Sequence, residues 1–419
     1  MNKLSVFSEI GRLRAVAVHR PGPEVDCMSP SLMHELLFDD ILFGNEARQE
    51  HDLFAAILKR VADEVIDVQT LLSESLHETK ACESLLNGLS AVYKLSQEDK
   101  DELRQLGGEA LAHLAISGWY QDIDQGSDYI FRFPPIPNIL FMRDPAAVLG
   151  NGVTINNMAT AARKAEPYIL ETIFKYHPRY KVGSKEHILF HELPGLTPGP
   201  NIHHTLEGGD ILVISQDALA VGVSLRTSQS AVTILAENLR KNGQFKVLFA
   251  VLIPPERSVM HLDTIFTRID QEHCLIFPPF LRPDGPQTLP VIRIDLTADK
   301  LQVESKNNFL QALAEDGIPL KPVFCGGKNR LDQEREQWTD GANAFCLAPG
   351  VILGYERNTK TARELEKVGY TVVGAEEVIE KDINLLDGNR YFVGIPGNEL
   401  SRARGGPRCM TMPLRRDPV

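Results

Sequence analysis

The stretch LEGGDILVISQDALAVGVSLRT, residues 206–227, contains two apolar runs separated by a polar turn, with Arg226 near its end. The next residues, SQSAVTILAENLRKNG (228–243), place apolar side chains at the spacing of one helix face, and Gly243 provides a stop signal. A third apolar run, KVLFAVLI (246–253), follows. Short apolar runs bounded by turns are typical of strands. The sequence therefore predicts two strands, a helix and a third strand, which we call a ββαβ unit.

The same order recurs along the chain. The strand pairs of three further units are FMRDPAAVLGNGVTINNM (141–158), HLDTIFTRIDQEHCLIFPPFLRP (261–283) and NAFCLAPGVILGYERNT (343–359). The first unit, which begins at GRLRAVAVHRPG (11–22), is looser. One arginine lies near the end of the apolar strands in each unit; the five are Arg20, Arg163, Arg226, Arg282 and Arg357. Repeated small units that share a core can close into a ring.

The longest interval between these arginines, from Arg20 to Arg163, includes residues 74–133, which are predicted to form several helices. The fold class predicted from these patterns is α/β. Its architecture is a five-bladed α/β propeller of ββαβ units, formed by residues 1–73 and 134–419, with a helical insertion domain at 74–133. The alternative is a generic α/β domain whose alternation imitates a repeat.

Composition limits the partners and the location. The formal net charge is −12, from 44 Lys and Arg against 56 Asp and Glu, which argues against nucleic acid as a partner. The longest apolar stretch, at Val247, is too short for a bilayer span, and the first residues lack a secretory signal. We therefore expect a cytoplasmic protein that does not enter a membrane. The six cysteines are scattered and are interpreted as free thiols.

Three motifs carry carboxylates or a histidine near predicted strand edges. In MHLDT, His261 and Asp263 are two residues apart, so on a strand they would share one face. In LEGGD, Glu207 and Asp210 flank two glycines, which permit close backbone approach or a positive φ. NILFMRDP places Asp144 just after an apolar run. Each motif alone has a structural alternative: a solvent-facing pair on an edge strand for MHLDT, a tight turn for LEGGD and a surface salt-bridge turn for NILFMRDP.

The cysteine near the end of the chain is unusual. RGGPRCMTMP (404–413) places Cys409 after two glycines and a proline and between basic residues, where a thiol pKa can be lowered, although an ordinary tail would look the same. The adjacent His203 and His204 would point to opposite faces of a strand and have no partner at metal-ligand spacing. We interpret them as loop residues and predict no metal site.

In a closed ring the equivalent strand ends of different units converge. Cys409, His261 and several carboxylates would then share one pocket. Excess carboxylates suit a cationic substrate, and a thiol with an imidazole suits covalent catalysis. A guanidinium meets both demands, because it is planar, remains protonated and is bound in bidentate fashion by carboxylates.

The ordered set ELLFDD (35–40), FMRDP, LEGGD, MHLDT, REQWTDGAN (335–343) and RGGPRCMTMP resembles the bacterial arginine deiminases of the guanidine-modifying enzyme superfamily, over nearly the whole chain. The resemblance implies a five-bladed α/β propeller that hydrolyses L-arginine to L-citrulline and ammonia without a metal or organic cofactor. It also implies a homo-oligomer.

The resemblance further implies a role for each matching residue. Cys409 would attack the guanidinium carbon, and His261 would be the general acid and base. Asp144 and Asp263 would hold the guanidinium nitrogens, and Glu207 would support His261 and the substrate. The residues expected to bind the rest of the substrate are Asn138, Arg163, Arg226 and Arg404 at the α-carboxylate and Leu37 along the alkyl chain.

The sequence departs from the family pattern at three positions, Met142, Leu225 and Ala403, none of which belongs to the catalytic set. The related alternatives are a hydrolase of agmatine or methylated arginine and an amidinotransferase. Arg163, Arg226 and Arg404 argue against agmatine, which has no carboxylate. A catalytically silent binding propeller and a cysteine peptidase are the alternatives from other classes.

Overall fold

The computed structural model describes residues 4–124, 128–193 and 204–419. The strands in chain order are β1 (Leu13–Val18), β2 (Glu64–Asp67), β3 (Trp119–Asp124), β4 (Asp128–Phe133), β5 (Ala146–Leu149), β6 (Gly152–Ile155), β7 (Ile188–His191), β8 (Ile211–Val213), β9 (Ala218–Val223), β10 (Val247–Leu252), β11 (Phe266–Arg268), β12 (His273–Ile276), β13 (Val291–Asp295), β14 (Gln302–Lys306), β15 (Lys321–Phe324), β16 (Phe345–Ala348), β17 (Val351–Tyr355), β18 (Thr371–Gly374), β19 (Tyr391–Ile395) and β20 (Met412–Arg416).

The α-helices in chain order are α1 (Pro23–Asp26), α2 (Pro30–Met33), α3 (Gly44–Val61), α4 (Val68–Ser75), α5 (Thr79–Tyr93), α6 (Gln97–Arg104), α7 (Gly108–Ser117), α8 (Glu166–Tyr176), α9 (Gln229–Asn242), α10 (Pro278–Leu281), α11 (Phe309–Glu315), α12 (Arg330–Trp338), α13 (Thr359–Glu366) and α14 (Ala375–Glu380). Short 3₁₀ helices lie at Pro137–Leu140, Ala161–Arg163, Lys185–His187, Gly208–Asp210, Arg257–Val259, Leu262–Thr264 and Leu400–Ala403.

Five small sheets share one pairing scheme. In each, a first strand runs antiparallel to a second strand, and the second pairs in parallel with a strand that follows a helix. The sheets are built on β5–β6–β7, β8–β9–β10, β11–β12–β15, β16–β17–β19 and β20–β1–β2. This repetition is the ββαβ pattern predicted from the sequence, and the α/β class is confirmed.

The first unit is loose in sequence because its first strand comes from the other end of the chain. β1 pairs in parallel with β2 and antiparallel with β20, so residues 13–18 and 412–416 lie in one sheet. The same pairing fixes the segment that carries Cys409, only three residues before β20.

Three features of the fold were not predicted. The segment YTVVGA (370–375) was expected to be the third strand of the fourth unit, but β17 pairs with β19, and β18 lies beyond β19 at the edge of that sheet. β13 and β14 extend the β8–β9–β10 sheet beyond β10 by antiparallel pairing. The segment 74–133 contains α5, α6 and α7 as expected, but it ends in the two-stranded hairpin β3–β4. Leucines of α5 and α7 share a hydrophobic core with α8; α5 packs against α8, and α7 packs against α4.

No α-helix in the described parts of the chain is both long and apolar enough to cross a bilayer. The cysteines of these parts are all free thiols, two half-buried and four buried, as the scattered spacing predicted.

Candidate active site

The predicted catalytic residues lie on the loops that enter the first strands of four different sheets. Asp144 precedes β5, Glu207 precedes β8, His261 and Asp263 precede β11, and Cys409 precedes β20. All five side chains are buried. Equivalent loops of the repeated units therefore place these groups in one region.

The MHLDT segment is not the strand that the sequence predicted. Leu262–Thr264 forms a 3₁₀ turn, and His261 is its N-terminal flanking residue. The turn is held by side-chain bonds to the backbone, since the Leu262 amide donates to Asp210 Oδ1 (2.9 Å) and Thr264 Oγ1 donates to the His261 carbonyl (2.6 Å). Such local bonds compete with a strand ladder.

His261 lies between two carboxylates. Its Nε2 is 2.9 Å from Glu207 Oε2, and its Nδ1 is 3.8 Å from Asp144 Oδ1. Glu207 is held in turn by the Ala159 amide, which donates to Oε1 (3.0 Å). A carboxylate that binds one ring nitrogen fixes the orientation of the imidazole and stabilises its protonated form.

The two glycines of LEGGD allow the close approach of three loops. A Cβ on Gly208 would lie 2.0 Å from the Arg143 carbonyl oxygen, and a Cβ on Gly209 would lie 2.5 Å from His261 Nδ1. Neither glycine has a positive φ. Of the two reasons that the sequence left open, close backbone approach is the one that applies.

The nucleophile candidate lies beside a second carboxylate. Cys409 Sγ is 3.8 Å from Asp263 Oδ2, which also accepts a hydrogen bond from Arg408 Nη1 (2.8 Å). Arg408 is fully buried and its other nitrogens donate to both oxygens of Glu9 (3.2 Å each). Asp263 Oδ1 has no hydrogen-bond partner among the described residues and is thus an acceptor available to a ligand.

The surrounding charges favour a proton on both candidate reacting groups, His261 and Cys409, when no ligand is bound. Burial lowers the pKa of His261, but Asp144, Glu207 and Asp210 outweigh burial and raise that pKa to about 9. Burial, with the negative charges of Asp263, Asp144 and Asp340, raises the pKa of Cys409 well above its ordinary value. At neutral pH the free site therefore holds a thiol and an imidazolium, and an incoming guanidinium would favour the thiolate by neutralising the carboxylates.

We expect the Cys409 thiolate to be absent from the free protein at neutral pH and to form only above the usual thiol pKa of about 8.5. The ultraviolet absorbance of wild type minus Cys409→Ser, titrated against pH, reports this one thiol, because the other cysteines cancel. Thiolate absorbance already present at neutral pH would contradict the assigned direction of the pKa shift.

The three arginines predicted to bind a carboxylate differ in their engagement. Arg163 is buried, donates to Asp144 Oδ2 (2.5 Å) and contacts both oxygens of Glu166. Arg226 is partly exposed and lies 3.6 Å from Glu207 Oε1. The Arg404 guanidinium stacks 3.3 Å above the Trp338 ring. In this structure Arg226 and Arg404 have weaker ionic partners than Arg163, and the carboxylate-binding role of all three stays a prediction.

Asn138 and Leu37 connect the site to the ELLFDD loop. Asn138 Nδ2 donates to the Leu36 carbonyl (2.6 Å), and the Asn138 carbonyl accepts from Arg163 Nη2 (3.1 Å). Leu37 adopts a left-handed conformation with φ 66°. The loop is therefore anchored beside Arg163, which is compatible with the predicted contact of Leu37 with a substrate chain.

Asp144, Glu207 and His261 form a group in which each offers an atom within 4.8 Å of the others, the one potential metal-binding group of this kind in the described ranges. Arg163 and Arg226 lie against two of its carboxylates and oppose a doubly charged ion there. Of the two histidines interpreted as loop residues, His204 contacts Ser230 Oγ (2.9 Å), and His203 lies outside the described residues.

The sequence motifs indicate no role for the buried charged residues beside Cys409, namely Arg408, Glu9 and Arg143. Arg408 is adjacent to Cys409 in the quoted motif, so its position was visible, but its partner Glu9 is 399 residues away in sequence. Arg143, whose backbone amide donates to the Cys409 carbonyl (3.0 Å), stands in its motif only as the neighbour of Asp144. The three departures lie at an exposed Leu225 and at buried Met142 and Ala403.

Solved structures share this fold. An amidinotransferase of Microseira wollei from saxitoxin biosynthesis superposes with a TM-score of 0.55 at 11% identity, covering 100% of this chain and 98% of that chain. The N-terminal domain of ArgZ, from an arginine dihydrolase of the cyanobacterial ornithine–ammonia cycle, superposes with a TM-score of 0.52 at 13% identity, covering 96% and 98%. At such identities the likeness concerns the fold alone.

Proteins found by sequence comparison are more similar to this chain than the solved structures are. The arginine deiminase of Borrelia duttonii (strain Ly) is 35% identical, covering 100% of this chain and 99% of the relative. That of Listeria monocytogenes serotype 4b (strain CLIP80459) is 36% identical, covering 99% and 98%. The family model described as arginine deiminase matches residues 34–111 and 121–416. With the thiol, imidazole and carboxylates placed as described above, the chain belongs to the arginine deiminase family.

Proposed function

We propose that this protein hydrolyses L-arginine to L-citrulline and ammonia through a covalent intermediate on Cys409. The observation that carries the proposal is the burial of Cys409 beside Asp263 and of His261 between Asp144 and Glu207. Family membership supports the same reaction. Neither a metal nor an organic cofactor enters the proposed steps.

In the first step the Cys409 thiol loses its proton to solvent as the guanidinium binds, and the thiolate attacks the guanidinium carbon. The new C–S bond forms as the bond to a terminal nitrogen breaks, and the His261 imidazolium donates the proton that lets this nitrogen depart as ammonia. Asp144 and Asp263 orient the guanidinium, and the free Oδ1 of Asp263 is suited to this contact. The product of this step is an S-alkylthiouronium and a neutral imidazole.

In the second step water attacks the same carbon. His261, now neutral, accepts a proton from the water as the C–O bond forms. The C–S bond then breaks as the hydroxyl proton of the tetrahedral adduct passes to the departing sulfur, which restores the Cys409 thiol and releases citrulline. Glu207 holds His261 through both steps, since its carboxylate binds Nε2 in either protonation state.

The substrate's α-carboxylate is assigned to Arg226 and Arg404, with Arg163 and Asn138 beside them, and Leu37 is assigned to its alkyl chain. Arg226 supports this assignment best, because its guanidinium is partly exposed and its ion pair with Glu207 is long (3.6 Å). A cation left partly unpaired in a site lined by acids suits an anionic ligand group.

We expect L-arginine to be turned over and agmatine to be rejected, with kcat/KM lower for agmatine by on the order of 10⁴-fold, because agmatine has no carboxylate to meet the arginines assigned to that group. Citrulline and ammonia should appear in equal amounts, whereas an amidinotransferase would release ornithine in the presence of an amine. Arg226→Gln should lower kcat/KM for arginine and leave the agmatine value unchanged.

Each outcome of this assay has one meaning. Equal turnover of arginine and agmatine would overturn the carboxylate contact, and no turnover of arginine by the intact protein would overturn the proposed function. A matched control is Arg20→Gln, which removes an exposed guanidinium paired with Asp52 and should leave both substrates unaffected.

We further propose that the five sheets close into a five-bladed α/β propeller of residues 1–73 and 134–419, with 74–133 as an insertion domain. The recurring pairing scheme and the β20–β1 junction support this arrangement. A cytoplasmic location and a homo-oligomeric state are part of the same proposal, and the acidic net charge of −12 argues against nucleic acid as a partner.

A further inference from the structure

One sheet contributes no residue to the catalytic set described above. The loops before β5, β8, β11 and β20 carry Asp144, Glu207, the His261–Asp263 pair and Cys409. The loop before β16 is the end of the REQWTDGAN motif, and Asn343 occupies the corresponding place, two residues before Phe345. The position of Asn343 in the repeat is therefore that of the catalytic residues in the other units.

Asn343 is fully buried and uses both ends of its amide at the site. Its Oδ1 accepts a hydrogen bond from the Cys409 backbone amide (3.1 Å), and its Nδ2 donates to the Asp263 backbone carbonyl (3.2 Å). One side chain thus connects the peptide of the nucleophile with that of the acid assigned to the guanidinium. The side-chain amide offers an acceptor, Oδ1, to the Cys409 N–H and a donor, Nδ2, to the Asp263 carbonyl. A hydroxyl or an ionised carboxylate does not offer an acceptor and a donor on two separate atoms.

The surroundings keep Asn343 in place. The backbone N–H of Asn343 donates to the Asp340 carbonyl (3.0 Å), in a turn where Asp340 adopts φ 60°. On the other side the backbone of Gly406 packs directly on Asn343, since a Cβ on Gly406 would lie 2.7 Å from Asn343 Oδ1. The turn before the nucleophile is thereby set against the Asn343 side chain.

The other side of the nucleophile's peptide is held in the same manner. The Cys409 carbonyl accepts from the Arg143 amide (3.0 Å), and Arg143 is adjacent to Asp144. Each guanidinium-binding acid is therefore linked to the Cys409 peptide by a short path, Asp144 through Arg143 and Asp263 through Asn343.

We propose that Asn343 is a positioning residue that fixes the distance between the Cys409 sulfur and the guanidinium carbon held by Asp263. This inference rests on the proposed function. Asn343 forms no hydrogen bond with Arg226 or Arg404, the residues assigned to the substrate's α-carboxylate. The hydrogen bond from Arg408 Nη1 to Asp263 Oδ2 (2.8 Å) does not involve Asn343. Loss of Asn343 therefore disturbs the alignment of attack more than the binding of substrate.

The test compares Asn343→Ala with wild type in steady-state assays on L-arginine. We expect kcat to fall by about 10²-fold, as for a misplacement near 1 Å, with KM changed by no more than about threefold, because ground-state contacts persist. In a Cys409→Ser background, which cannot react, the dissociation constant of arginine measured by calorimetry should likewise change by less than about threefold when Asn343→Ala is added.

Asn308→Ala is the matched control for folding. Asn308 is also buried, donates to one backbone carbonyl (Leu281, 3.2 Å) and accepts from one backbone amide (Gln311, 3.1 Å), but it lies at the start of α11. The Asn308→Ala substitution should lower the thermal midpoint of unfolding, as Asn343→Ala does, but leave kcat for arginine unchanged. A fall in kcat no larger than that of Asn308→Ala, or a rise in KM with kcat intact, overturns the proposal.

A second variant keeps the proposal testable if Asn343→Ala does not fold. Asn343→Asp preserves volume and the acceptor for the Cys409 amide, but it removes the donor to Asp263 and should still lower kcat at least tenfold. Wild-type kcat in Asn343→Asp would overturn the inference. The wild-type protein is assayed on L-arginine alongside the variants. If it turns arginine over, the proposed function holds, and the variants test the role of Asn343 alone.

Discussion

Exchange of Cys409 for serine is expected to abolish citrulline formation from L-arginine, with kcat lowered by about 10⁴-fold or more, as for removal of a nucleophile that acts together with its acid and base. The hydroxyl of serine has the size of the thiol but is a far weaker nucleophile, and the carboxylates that raise the pKa of Cys409 would oppose an alkoxide even more. Steady-state assays of citrulline and ammonia measure the effect.

Substrate binding should survive this exchange, because the residues assigned to the α-carboxylate and the guanidinium are untouched. Calorimetry with L-arginine checks this directly. Cys82→Ser is the matched control, since Cys82 is a half-buried free thiol in α5 and its exchange should leave turnover unchanged. Residual turnover in Cys409→Ser comparable to wild type would exclude the covalent mechanism.

The repeated units could be predicted because their strands and helices are determined by local patterns. Helix α9 shows this well, since Ser228 caps its first turn by accepting from the Ala231 amide (3.2 Å) and Gly243 ends it with φ 73°. β13 and β14 have no such signal. β13 joins the β8–β9–β10 sheet through antiparallel pairing with β10, and β14 joins it through antiparallel pairing with β13; both pairings depend on tertiary structure.

The candidate site residues that the sequence indicates are those whose motifs combine reactive side chains with turn-forming residues. The strand predicted for MHLDT is a 3₁₀ turn, because alternation of polar residues does not reveal that Asp210 binds the Leu262 amide from another loop. The positions that support the nucleophile, such as Glu9 beside Arg408, are distant in sequence. Their roles follow from convergence of loops from different sheets, which no local pattern encodes.

Replacement of His261 by asparagine is expected to lower kcat for L-arginine by about 10³-fold, because both the departure of ammonia and the attack of water lose their proton carrier. A probe with a different leaving group separates these two steps. S-Methyl-L-thiocitrulline loses methanethiolate, which needs no proton to depart, and leaves the same thiouronium on Cys409 as arginine does. His261→Asn should therefore form this adduct and fail to hydrolyse it.

Mass spectrometry of the intact protein detects the adduct as an addition of arginine less ammonia. It should persist in His261→Asn and be absent at steady state from wild type, which returns to the free thiol. His191→Asn is the matched control. His191, at the end of β7, also binds a glutamate, since its Nε2 lies 2.7 Å from Glu171 Oε1. Rapid hydrolysis of the adduct in His261→Asn would assign the second step to another base.

The pH dependence of turnover by the wild-type protein shows whether His261 acts as a general acid or only supports the fold. The carboxylates around His261 raise its pKa to about 9 against the opposing effect of burial, so the imidazolium persists through neutral pH and is lost as the pH rises through that value. Turnover of arginine should therefore decline above about pH 9. Adduct formation from S-methyl-L-thiocitrulline should instead increase there, because it requires the Cys409 thiolate and no acid. A parallel decline for both substrates would mean that loss of the proton from His261 disrupts the site itself, and the role of general acid would then have to be given to another residue.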